Sequence, residues 1–172
     1  MSDPIPGPSG RVDPAFLLGE REMLEAWLDF HRATLRWKCD GLDAGQLTER
    51  SVPPSTMSLL GLVRHMAEVE RNWFRRVLAG EDVPHIYCRD EHPDGDFDLV
   101  SEADPTVDLA TWAGEIEAAR DRSATRSLDD TGLRRGEPCS LRWIYVHMIE
   151  EYARHNGHAD LLRERIDGAT GD

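Results

Sequence analysis

SLRWIYVHMIEEYARHNGHADLLRERI, residues 140–166, is the longest amphipathic run of the chain and the stretch that decides its fold. Leu141, Tyr145, Met148, Tyr152, Ala159, Leu162 and Ile166 step by three and four, the interval at which side chains return to one face of an α-helix. Ser140 can cap that helix and Gly168 can end it. The step between Tyr152 and Ala159 is occupied by His155, with Glu151 one turn behind it. At about 100° per residue, positions four apart point the same way within roughly 40°. A histidine in an apolar seam must find a partner when buried. The commoner case is a hydrogen-bonded core residue or a plain ion pair with Glu151. The other is a pair of ligands that bite one cation. A third ligand would separate the two, because catalytic zinc and similar ions usually take three protein ligands and keep one position open.

A second apolar-periodic run, Leu59, Leu62, Val63, Met66, Val69, Trp73 and Val77, carries His65 on its border and offers such a ligand from another helix. Within the last run, His147 precedes Glu151 by four residues and His158 follows His155 by three. Spacing alone does not choose among these histidines. A straight helix nevertheless puts His147 and His155 about 12 Å apart along its axis, so a site shared between two helices converges better.

Four long helical patterns succeed one another. The first spans about Ala15 to Lys38, after Asp13-Pro14 and before Gly41, with Leu24, Trp27, Leu28, His31 and Leu35 in its seam. Asp43-x-x-Gln46 marks a short capped turn, and Pro53-Pro54 leads to the second helix, about Met57 to Ala79. A long loop, Glu81 to Asp104, precedes a third helix from Pro105 to about Arg126, which bears Leu109, Trp112, Ala113, Ile116 and Ala119 on one face. The fourth is the run quoted above. Val83 to Tyr87 reads as locally extended, but no convincing strand pair or internal repeat is visible. The pattern predicts an all-α four-helix bundle. It divides into a flexible leader over residues 1–13, rich in Pro, Gly and Ser, a single domain over 14–168, and a tail over 169–172.

The chain has 172 residues and a net charge of −13, with 33 acidic against 20 basic side chains. That excess repels nucleic acid and anionic membranes, and no basic aromatic patch offsets it. No stretch approaches the length of a membrane span. Cys39, Cys88 and Cys139 form no C-x-x-C pair and read as reduced thiols of a cytoplasmic protein. The acidic segment around Asp94, Asp96 and Asp98 fails the EF-hand pattern, since Leu99 stands where glycine is required and Pro105 where the bidentate glutamate belongs. It reads as a solvated loop, with His85 and His92 exposed in it. His31 reads as a core histidine or a support for a ligand.

Two segments carry a family resemblance. GLVRHMAEVERNW, residues 61–73, resembles the second helix of the DinB/YfiT-like superfamily, and EEYARHNGHADLLR, residues 150–163, its last helix. The match runs in order and spacing from about Phe16 to Gly168. The usual pattern of that family is one histidine on the second helix and two histidines four apart on the last, the second followed by x-Gly-Gln. Here Glu151 takes the first of the latter positions and His158 replaces the glutamine. This His/Glu/His version is similar to the mycothiol-dependent branch, which includes maleylpyruvate isomerase and mycothiol S-transferase.

The resemblance implies a divalent metal, zinc or else nickel, held by His65, Glu151 and His155, with mycothiol or a similar small thiol as co-substrate. The expected activity is metal-dependent thiol transfer to an electrophilic small molecule. Maleylpyruvate isomerisation is less expected, because the isomerase carries a further C-terminal domain that these residues do not include. The alternative is a non-catalytic metal-binding bundle of stress response or small-molecule binding. Trp37 and Trp143 lie off the helical seams, so either the 81–104 loop covers them or a second subunit does, and a homodimer is expected.

Overall fold

The computed structural model describes residues 10–171. Most of the expected leader, Met1 to Ser9, lies outside the described residues, as does Asp172 at the end of the tail. The elements in chain order are α1 (Glu20–Cys39), α2 (Ala44–Thr48), α3 (Leu59–Glu70), a π-helical segment continuing it (Arg71–Leu78), α4 (Gly95–Asp98), α5 (Pro105–Ser123), β1 (Thr131–Arg134), β2 (Glu137–Ser140) and α6 (Leu141–Asp167). The protein is mostly helical, as an all-α DinB-like bundle requires. Helix α1 packs chiefly on α6 and α3 on α5, and α3 also touches α6.

Local chemistry explains most boundaries. Ser58 Oγ accepts the Gly61 N–H at 3.1 Å to start α3, and Ser140 Oγ accepts the Trp143 N–H at 3.2 Å to start α6. Asp43 and Gln46 form a reciprocal capping box on α2. Asp104 caps α5 with Pro105 in its first turn, and Gly168 ends α6 at φ 80°. The first helix starts at Glu20, five residues later than Ala15, because Phe16 and Leu17 are 100% and 93% exposed and have no core to bury against. Helix α5 stops at Ser123 rather than near Arg126. The Arg21 guanidinium donates to the carbonyls of Ser123 and Arg126 there, at 2.8 and 2.6 Å, and holds the chain in a turn.

Two corrections concern segments read as irregular or uniform. β1 and β2 pair antiparallel, Thr131 opposite Ser140 and Arg134 opposite Glu137, where no strand pair was expected. The turn between them places Arg135 and Gly136 at φ 53° and 85°. Two consecutive positive φ values match the turn that suits a hairpin's twist, but arginine stands where Asn or Asp would have signalled it. Gly132 is needed for close approach, since a Cβ there would lie 2.1 Å from the Val77 carbonyl oxygen. The second long helix, in turn, is not uniformly α. Its wider π turns bury Phe74 and Leu78 along with Trp73 and Val77.

The core runs through all the long helices and includes Leu28, Leu35, Leu62, Met66, Phe74, Trp112, Leu141, Met148, Tyr152 and Leu162. Each fully buried side chain of this size contributes roughly 1.5–3 kcal/mol. A polar network crosses its middle. Glu70, 0% exposed, receives two hydrogen bonds from the Arg32 guanidinium, at 2.8 and 2.7 Å, and one from the Tyr152 hydroxyl, at 2.8 Å. Trp112 Nε1 donates to the Tyr152 oxygen at 2.9 Å, so the network joins α1, α3, α5 and α6.

Candidate metal centre

Where α3 meets α6, the ligand atoms of His65, Glu151 and His155 lie within 4.8 Å of one another. The three side chains are 27%, 21% and 13% exposed, sheltered yet reachable from solvent. The ring centroids of His65 and His155 are 4.7 Å apart. Glu151 Oε2 is 3.5 Å from His155 Nε2. Burial, reinforced by the nearby His65, His158 and Arg154, pulls His155 down to about 4. It is therefore a neutral imidazole at physiological pH, the form that binds a cation.

Each of these three side chains is backed by one further group. Asp96 Oδ2 accepts from His65 Nδ1 at 2.8 Å, which directs Nε2 of that ring toward α6. His158 Nδ1 sits 3.4 Å from His155 Nδ1. His147 Nε2 sits 3.3 Å from the other oxygen of Glu151. Asp96 is the residue that sequence reasoning missed. Read as part of a solvated loop, it is in fact 3% exposed. The loop is strapped down by side chains of α3. Glu68 Oε1 accepts the backbone N–H groups of Ile86, Tyr87 and Cys88 at 2.7, 2.6 and 3.0 Å. The Arg64 guanidinium donates to the carbonyls of Leu99 and Gly95 at 3.0 and 3.1 Å. Phe97 packs on His65 with centroids 5.3 Å apart. Charged residues at positions 64 and 68, between apolar neighbours of α3, were the available signal that something docks on that face.

The other histidines fall elsewhere. His85 and His92 are exposed, as expected, although His85 Nδ1 lies 3.2 Å from Glu68. Half-buried His31 receives the Asn156 amide on its carbonyl at 3.1 Å, and burial lowers its pKa. A second compact group, His147 with Glu150 and Glu151, lies one turn along α6 and shares Glu151. Burial disfavours the thiolate form at all three cysteines of the chain. Burial pushes Cys39 up to about 12 and Cys88 up to about 11.

The donor set suits a borderline divalent cation: two imidazoles and one carboxylate, with the far nitrogen of each ring occupied. The model of the mycothiol-S-transferase family matches residues 23–168, and the chain belongs to that family. The match agrees with the mycothiol-related branch of the DinB/YfiT-like bundles. No curated protein and no solved structure matches the chain. Among the described residues, no helix is long and apolar enough to cross a membrane.

Proposed function

We propose that this protein is a metal-dependent thiol S-transferase that uses mycothiol, or a similar low-molecular-weight thiol, on an electrophilic small molecule in the cytoplasm. The observation that supports this best is the convergence of His65, Glu151 and His155 from two helices, each with a backing group, in a chain of the mycothiol-S-transferase family. These three residues would hold the cation, with zinc the best fit to the donors and nickel an alternative. A bound divalent cation favours thiolate over thiol at neutral pH. Two neutral imidazoles and one carboxylate leave one positive charge of a divalent ion uncompensated, matching the single negative charge of a thiolate. Asp96 and His158 hold the two imidazoles in one orientation, and His147 does the same for Glu151. Phe97 and the strapped loop shield the site from water on one flank. His147 and His158 are also the nearest groups able to relay a proton from the thiol.

Metal analysis of His65→Ala and His155→Ala tests the site. Both variants should lose stoichiometric metal, whereas His92→Ala, altered in the exposed part of the loop, should keep it. Full occupancy in both ligand variants would falsify the assignment. A thiol-consumption assay then tests the chemistry, because a non-catalytic metal-binding bundle would retain metal and consume no thiol. A homodimer also remains our proposal; Trp37, one of the two rings behind that expectation, is covered within the chain by the Arg11 guanidinium and Lys38. Light scattering over a concentration range should give a mass of two chains; a single-chain mass at every concentration would refute it.

A further inference from the structure

We propose that Trp143, His147 and Trp73 form a shelf that binds the sulfur-free, polyhydroxylated half of the thiol co-substrate, with a glycoside ring stacked on Trp143. The inference rests on the proposed function, and it concerns residues outside the candidate metal ligands. Trp143 lies on the solvent side of α6, and half of its surface is open. Its ring stacks on His147, with centroids 4.9 Å apart and planes 19° from parallel. Trp73 buttresses both from below, 4.6 Å from His147 and 5.2 Å from Trp143.

The shelf is built rather than incidental. Trp73 belongs to the π segment, the kind of helical irregularity that recurs at functional sites. The hairpin pressed onto that segment through Gly132 brings the Arg134 guanidinium to 5.3 Å from the Trp73 ring centroid. Three separate elements thus converge on one exposed aromatic surface. It is also continuous with the candidate metal centre. His147 Nε2 touches one oxygen of Glu151, while the other faces His155. From Trp143 to Glu151 is eight residues of helix, about 12 Å.

The chemistry of the ligand follows from that layout. A thiol whose sulfur sits beside Glu151 and His155 must extend away from them. The flank beyond His65 is filled by Asp96 and Phe97. The flank along α6 toward its start is open and aromatic. The proposed thiol, mycothiol, would bring a cysteine joined through an amide to an amino-sugar–inositol glycoside, so two sugar-sized rings would follow a short arm and bridge the span of about 12 Å. Tryptophan presents an electron-rich face to the electropositive C–H groups on one side of a sugar ring. Hydroxyl groups at the edge of that ring would meet the Glu150 carboxylate, which also pairs with Arg154, and the Arg134 guanidinium above Trp73.

The test uses the full chain and a thiol-free amino-sugar–inositol glycoside as the probe, titrated calorimetrically. Wild type should bind it, and Trp143→Ala should bind roughly tenfold or more weakly, on the scale of one lost aromatic contact. Trp143→Phe, which keeps a smaller ring, should fall between the two. Trp27→Ala, at an exposed tryptophan of α1 outside the shelf, should match wild type. In turnover, Trp143→Ala should raise KM for the thiol with kcat nearly unchanged. His155→Ala should lose metal yet keep the glycoside, so failure of the metal assignment is visible apart from failure of the shelf. No binding to wild type, or equal binding by Trp143→Ala and Trp143→Phe, overturns the proposal. So does a light-scattering shift from two chains to one in Trp143→Ala at unchanged glycoside affinity, which would make the shelf a contact between copies.

Discussion

Asp96 shows how one side chain outside the helical seams shapes the site. Its carboxylate is buried, and the 2.8 Å bond to His65 Nδ1 is a strong, charge-assisted orienting contact. It selects which ring nitrogen is free and fixes the plane of the imidazole. With His65 as a ligand of the proposed metal, a group in this relation typically changes metal affinity by roughly 10–100-fold. Asp96→Asn keeps the shape and removes the charge. It should weaken zinc binding within that range, as measured by competition with a chromogenic chelator, while leaving the stoichiometry at saturation unchanged. An affinity equal to wild type would mean that His65 is positioned by its packing against Phe97 alone.

At the scale of elements, the hairpin and the π segment act as one unit. Gly132 lets the first strand lie directly against the backbone of Val77, and the contact aims Arg134 over Trp73. Gly132→Ala would place a methyl group 2.1 Å from a carbonyl oxygen, so one backbone must move. Overpacking of this kind costs about 1–3 kcal/mol. Thermal unfolding should show a melting point lower by several degrees. Gly136→Val is strained for a different reason, its positive φ, although it meets open space. A Gly132→Ala variant as stable as wild type would show that the hairpin does not press on the π segment in solution.

The whole molecule is tied together by the buried bonds of Glu70 to Arg32 and Tyr152, and of Tyr152 to Trp112. Arg32→Ala would strand a carboxylate that has no access to water. Breaking a buried pair from one side typically costs about 3–5 kcal/mol, a large part of the stability of a single domain. The double variant Arg32→Met, Glu70→Leu removes both charges and should recover much of that loss. Urea unfolding of the single and double variants decides the matter. If the single variant were as stable as wild type, the network would hold the bundle together no better than solvent does.

The family resemblance named His65, Glu151 and His155 together, where spacing alone left His147 and His158 open; the helical class, the order of the long helices and most of their caps were legible in the chain itself. They depend on periodicity and short-range hydrogen bonds, which neighbouring residues specify among themselves. The late start of the first helix was less legible, because it turns on whether Phe16 and Leu17 find a core. The hairpin escaped notice because arginine occupies a left-handed position that usually advertises itself with Asn, Asp or Gly. Asp96 lies 31 residues from His65, in a segment whose composition looked solvated. Only the folded strap, held by Glu68 and Arg64, brings the two together. The sequence by itself determined which side chains share a helix face. The tertiary structure decided which faces meet, because a carboxylate's burial and a histidine's free nitrogen depend on contacts that no local pattern encodes.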